Sequence, residues 1–296
     1  MLRSRRNFVR SSNRQSPAGD CSLTVRAGFT LIEMVFSMTI LAFSAGIFGG
    51  LMLAISSAWD HSTALEDSRR QAQTALSRIK WMVQQSGTYK VSGSPTVLGI
   101  GIVSTSWGTY QAPTTLVVWS GGANGGMNAL GTQSRLPVAS ELVVYTPDST
   151  NPARFVEVTF PGNSTAVDFK ASGFTTTIQS LMTSNSRQSI LLCDRLSAVA
   201  LPQGASSSSP PVGNARFELT ASPTDSQISG VSVGSQGWND LPWGQGLVAA
   251  DRGLRTTNLR LELNLVPNPS KLTTDNGFST AVPYFGSVNR QYVYQP

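Results

Sequence analysis

The residue best placed to do chemistry is Glu33, the single acid at the head of an apolar stretch in Gly28-Phe29-Thr30-Leu31-Ile32-Glu33-Met34. From Met34 to Trp59 no side chain is charged. As a helix rising about 1.5 Å per residue, that run reaches ~39 Å, enough to cross a ~30 Å hydrocarbon core with tilt. A carboxylate carried to the bilayer centre costs about 2.5–3.5 kcal/mol, and a helix that merely anchors has no use for it. Other reactive groups are few. The only histidine, His61, stands at the foot of the apolar helix and reads as an interfacial, solvated residue. Cys21 lies in the basic leader, and Cys193 reads as a small buried hydrophobe. Zinc-ligand spacing of Cys and His is absent.

Catalytic constellations are scarce. No GxSxG elbow, P-loop or HExxH occurs, and the position of His61 excludes a Ser-His-Asp arrangement in the C-terminal part. The carboxylates Asp148, Glu157, Asp168, Asp194, Asp240 and Asp251 are dispersed. Oxygen-ligand loops for calcium, if any, are Asp148-Ser149-Thr150-Asn151 and Asp275-Asn276. No other cofactor and no enzymatic activity are expected. The formal charge of +6 is not a nucleic-acid footprint, because six arginines against Asp20 place +5 of it in residues 1–28. Nucleic acid is not expected as a partner.

The elements that must position Glu33 follow from pattern. The small pair Ala27-Gly28 precedes the apolar run, so the run is not an ordinary cleaved signal, and it is twice the usual length of one. An uncleaved anchor would explain the basic leader through the positive-inside rule but leaves Glu33 unexplained. Gly46 and Gly50 have the i, i+4 spacing that lets helices approach closely in lipid, although glycine is also common in membrane helices generally. Beyond Trp59 the stripe Leu65, Ala72, Leu76, Ile79 and Val83 buries one helical face, and Ser86-Gly87 gives a stop. One helix is expected from Phe29 to Ser86.

After Tyr89 the chain turns to short β-branched and aromatic runs: Thr115–Trp119, Glu141–Thr146, Arg154–Phe160, Arg216–Thr220 and Thr257–Leu265. The last alternates, with Leu259, Leu261, Leu263 and Leu265 on one face and Arg260, Glu262 and Asn264 on the other, as in a half-buried antiparallel strand. Ser189–Leu201 is ambiguous between strand and short helix, and Gly121–Gly126 and Ala205–Pro211 are loops. The fold class is α+β, a long N-terminal helix packed on an antiparallel β-rich head. The divisions are a leader at 1–28, a membrane or filament-core helix at 29–59, an amphipathic continuation at 60–88 and a head at 89–296.

Residues Gly28 to Met34, followed by the apolar helix, resemble the cleavage and methylation motif of type IV prepilins and type II secretion pseudopilins. The leader is long, and its last basic residue, Arg26, stands two positions before Gly28. The resemblance implies a membrane prepilin peptidase cutting between Gly28 and Phe29, followed by N-methylation of Phe29. Glu33 of one subunit would then pair with the new Phe29 amine of a neighbour. Partners would be other pilin or pseudopilin subunits, the peptidase, an inner-membrane assembly platform and the membrane itself. The head would be exported to the periplasm.

Leu191-Leu192-Cys193-Asp194-Arg195-Leu196, Trp238-Asn239-Asp240-Leu241-Pro242-Trp243 and the Thr257–Leu265 run are loosely similar to J-class minor pseudopilins and large minor pilins. That similarity, and a size of 268 residues without the 28-residue leader, imply a minor subunit near a filament tip. An alternative function is a filament-displayed adhesin or cargo-recognition module, which would expose Trp238 and Trp243; otherwise these cap the core. A third is a plain membrane-anchored periplasmic protein.

Overall fold

The computed structural model describes residues 30–107, 110–199, 212–267 and 281–296. Contacts divide the chain after Ser56, with a unit of its own from Ser57 to Pro296. Helix α1 runs Leu31–Gln84, inside the expected Phe29–Ser86, and Phe29 lies outside the described residues. Large apolar side chains from Leu31 to Trp59 are exposed. The expected stripe is buried at Ala72, Leu76, Ile79 and Val83, joined by Ser68, Ala75 and Met82.

The Ser57–Pro296 unit holds two antiparallel meanders. The first comprises β1 (Ile100–Trp107), β2 (Tyr110–Trp119), β3 (Leu142–Pro147), β4 (Phe155–Thr159) and β5 (Gln188–Cys193), hydrogen-bonded in chain order. The second comprises β6 (Ala215–Ser222), β7 (Arg252–Leu265) and β8 (Val282–Tyr294), with Val248–Ala249 paired to the start of β7. The five expected strands are all present, most of them longer than the sequence pattern indicated. The ambiguous Ser189–Leu201 stretch begins as strand β5, followed by the short strand Ala198–Val199.

Burial explains why the central strands read as continuous apolar runs. Leu116 and Val118 of β2, with Val143 and Tyr145 of β3, join the core formed with α1. The intervening Val117, Trp119, Leu142 and Val144 belong to a second core on the other face. That second face is covered by helix α2 (Phe174–Met182), through Phe174, Ile178 and Leu181. On β7 the alternation holds, with Leu259, Leu261, Leu263 and Leu265 inside and Arg260 outside. Asn264 departs from it, being buried and bonded to Glu262 at 2.9 Å.

Three contacts fix the docked part of α1. The Arg78 guanidinium donates from Nε and Nη2 to the two oxygens of Glu157, each at 2.9 Å. Glu157 is only 1% exposed and also accepts from Tyr145 Oη at 3.1 Å. Ser68 Oγ meets Tyr284 Oη at 3.1 Å. At the helix end, Arg290 of β8 donates to the carbonyl of Ser86 at 3.3 Å and to Asn128. No basic residue lies in the last turn of α1, so Arg290 supplies the positive charge that a helix C-terminus attracts. Gly286 of β8 lies against α1, where a Cβ would fall 3.0 Å from Leu261 Cδ1, 3.2 Å from Lys80 Cε and 3.3 Å from Leu76 Cδ2, so a larger residue would push these side chains aside.

The Arg78→Met variant leaves Glu157 buried without its cation, a change that typically costs ~3–5 kcal/mol. Thermal unfolding of the full chain in detergent should show a clear drop in Tm. Adding Glu157→Gln should recover most of it, and failure to recover would show that the arginine acts through packing alone.

Candidate functional site

Glu33 sits three residues after Thr30 at the start of α1, and the two close a reciprocal cap. The backbone N–H and the hydroxyl of Thr30 each donate to Glu33 Oε2 at 2.9 Å, and the Glu33 N–H donates to Thr30 Oγ1 at 3.4 Å. This arrangement satisfies orphan donors of the first turn and places a negative charge at the positive end of the helix dipole. Its signal is Thr-x-x-Glu before an apolar run, and it stands beside the charge pairing that the resemblance implies for Glu33. Among the described residues the second oxygen, Oε1, makes no hydrogen bond, so the carboxylate retains capacity for a further donor.

Gly28 and Phe29 lie outside the described residues. Gly46 and Gly50 stand on α1 with open space where a side chain would project. Among the described residues α1 is the single helix long and apolar enough to cross a membrane.

In the head the expected reactive groups are scattered. His61 is exposed on α1. Burial pushes the Cys193 thiol up to about 11, against smaller opposing hydrogen bonds from the Arg195 and Phe155 backbones. Asp148 Oδ1 is occupied by the backbone and hydroxyl of Thr150, each at 3.0 Å, while Asn151 Oδ1 accepts from Ala153. Asp275-Asn276 lies outside the described residues, as do Cys21 and the Ala205–Pro211 loop. No group of three His, Cys, Asp or Glu side chains converges among the described residues. Asp194 meets Gln71 through its backbone, Asp240 accepts from Gln236 at 2.8 Å, and Asp251 pairs with Arg252.

The tryptophans correct the display reading. Trp238 and Trp243 are buried, not exposed. Their rings lie 4.7 Å apart, and their indole N–H groups donate to the carbonyls of Ala249 at 2.9 Å and Trp238 at 2.8 Å. Trp243 lies flat on Gly253, where a Cβ would fall 2.4 Å from the indole. They cap the core, and a recognition role cannot rest on these two indoles.

The chain thus has an N-terminal helix, capped at its start and apolar on its exposed surface, followed by an antiparallel β-rich head. Residues 24–49 match the family model described as the prokaryotic N-terminal methylation motif, the prepilin-type signature. No curated protein and no solved structure matches the chain. The chain carries that prepilin-type signature over residues 24–49, which supports a type IV pilin- or pseudopilin-like protein. Proteins carrying it are structural subunits, and it implies processing by prepilin peptidase, assembly with other pilin subunits and membrane anchoring.

The buried, protonated state of Cys193 makes it inert in the folded chain. In a Cys21→Ser background, a maleimide reagent at pH 7 should label Cys193 only after denaturation. Rapid labelling of the native chain would contradict its burial.

Proposed function

We propose that the chain is a minor subunit of a type II secretion pseudopilus or a type IV pilus, placed near the tip. A prepilin peptidase cuts between Gly28 and Phe29, and Phe29 is N-methylated. The apolar helix inserts in the inner membrane with the head in the periplasm, and the subunit is extracted into the growing filament by an assembly platform. Other pilin-like subunits are its partners.

The observation that carries this reading is Glu33 within the matched span of residues 24–49, on a helix whose large apolar side chains from Leu31 to Trp59 are exposed. Thr30 occupies only Oε2. Oε1 is therefore available to the Phe29 amine of an adjacent subunit, so that a charge held at the helix start in the free chain becomes a compensated pair in the filament. Close packing at Gly46 and Gly50 would let neighbouring helices approach.

Mass spectrometry of the N-terminus tests the processing step: a methylated phenylalanine start is expected, and an intact arginine-rich leader overturns it. Assembly is read separately. Glu33→Leu should still be processed yet enter sheared filaments at least ~tenfold less than the parent chain, since loss of one partner of a desolvated pair exceeds 1.4 kcal/mol. Undiminished incorporation would remove the pairing role. Substitution of Gly28 without consequence for processing or incorporation would favour a plain anchored protein.

A further inference from the structure

Strands at the margin of a sheet leave one row of backbone N–H and C=O groups unpaired, and such rows attract foreign strands unless they are guarded. Three of the four marginal strands here carry guards. β1 has Gly101 and a register irregularity between Val103 and Thr105. β6 has Arg216 and Glu218, and β8 has Pro283 and Arg290. Bulges, charges and proline all oppose pairing. β5, the last strand of the first sheet, is different. Gln188-Ser189-Ile190-Leu191-Leu192-Cys193 holds no charge, proline or glycine, and its one irregularity falls at Leu192, beyond its first four residues.

Those four residues are all exposed, Ile190 to 55% and Leu191 to 50%. The two large side chains lie on opposite faces. Ile190 stands opposite Glu157, on the side of α1, and Leu191 stands opposite Val156, on the side of the second core. A continuous apolar run is the pattern of a strand buried on both faces. The interior strands β2 and β3 have that pattern and that burial. β5 has the pattern of an interior strand in a marginal position. Among the described residues, the backbone of Gln188–Cys193 makes no hydrogen bond beyond the β4 ladder. The open row is closed at both ends. The Arg187 N–H donates to the Ser184 carbonyl at 3.3 Å, and the Asp194 N–H donates to Gln71 Oε1 at 3.3 Å. At about 3.3 Å per residue, the regular part offers ~13 Å of edge.

We propose that β5 receives a sixth strand, an extended and uncharged segment of a partner protein with apolar side chains on both faces. The open backbone row selects the occupant, because only another extended backbone can pair with it. A lipid tail could cover Ile190 or Leu191 but would leave the row between them unpaired. The apolar side chains on either face select against charge in the incoming strand. A second copy paired antiparallel along β5 would run its α1 in the opposite direction, against anchoring both chains in one membrane. Parallel self-pairing is the less stable pattern. The inference does not depend on the filament reading.

The test is fluorescence anisotropy of a labelled Thr-Val-Ile-Val-Thr peptide on the full chain in nanodiscs, with empty nanodiscs as blank. A counterpart N-methylated at every residue keeps the side chains and removes every backbone donor. It should bind at least about tenfold more weakly, the loss expected for two or more backbone hydrogen bonds. Leu191→Lys, a change at an exposed side chain, should weaken the parent peptide to a similar degree at unchanged Tm. Leu130→Lys, at a leucine 63% exposed elsewhere on the head, should leave binding unchanged. No binding, equal binding of the two peptides, or equal weakening by both variants would overturn the proposal. Sedimentation of the chain in detergent as a dimer that Leu191→Lys returns to monomer would assign the edge to a second copy and overturn it as well.

Discussion

The head depends on one buried carboxylate. Glu157 on β4 faces the core that α1 fills, almost wholly out of water, and stands directly opposite Tyr145 on β3. A charge in that place needs a cation with well-aimed donors, and Arg78 of α1 supplies both bonds. An apolar stripe alone tolerates sliding or rotation, because leucine and alanine surfaces fit each other in several registers. The bidentate pair does not. It fixes α1 at one height and one rotation on the first sheet, and Ser68 and the Ser86 carbonyl then find their partners, Tyr284 and Arg290, on β8. Arg78 also donates to the Ala123 carbonyl at 2.7 Å and lies over the Trp81 ring, tying the Gly121–Gly126 loop to the same helix.

The second sheet completes what the first begins. Its inner leucines close the α1 core from the other side, while its outer face carries Arg216, Glu218, Arg260 and Glu262 toward solvent. The same strand β7 that packs the core with leucines carries Arg255 two turns of the pleat earlier, where the apolar row gives way to a cavity of about 410 Å³. Core and cavity are therefore lined by successive stretches of one strand face.

Much of this was legible from residue patterns. The stripe on α1 and the leucine alternation on β7 announced their buried faces, and the β-branched and aromatic runs of β2 and β3 marked them as strands. Other elements were hidden for physical reasons. Helix α2 contains three consecutive threonines, Thr175 to Thr177, which lose side-chain freedom in a helix and mask its buried Phe174, Ile178 and Leu181. Strand β8 carries Pro283 and Gly286, both unfavourable in strands, the second packed against Leu76 and Lys80 of α1. Strand β1 is broken up by Gly101 and serines. Nothing in sequence could link Arg78 to Glu157, or Asp225 to Lys170 and Arg255, since such pairs are made only by the tertiary fold. At the helix start the motif was plain, but Glu33 was read for its pairing across subunits and not for its cap within the chain.

The bond between Ser68 and Tyr284 joins residues 216 apart in the chain. Synthesis delivers the helical surface early and the strand that shields it late. Until β8 emerges, Leu76 and its neighbours lack their cover, and closing so distant a contact is slow because the intervening chain must first be ordered. A nascent head of this design therefore has a window in which it is vulnerable to proteases and to aggregation. Chaperoning during synthesis would matter most for the half-built form.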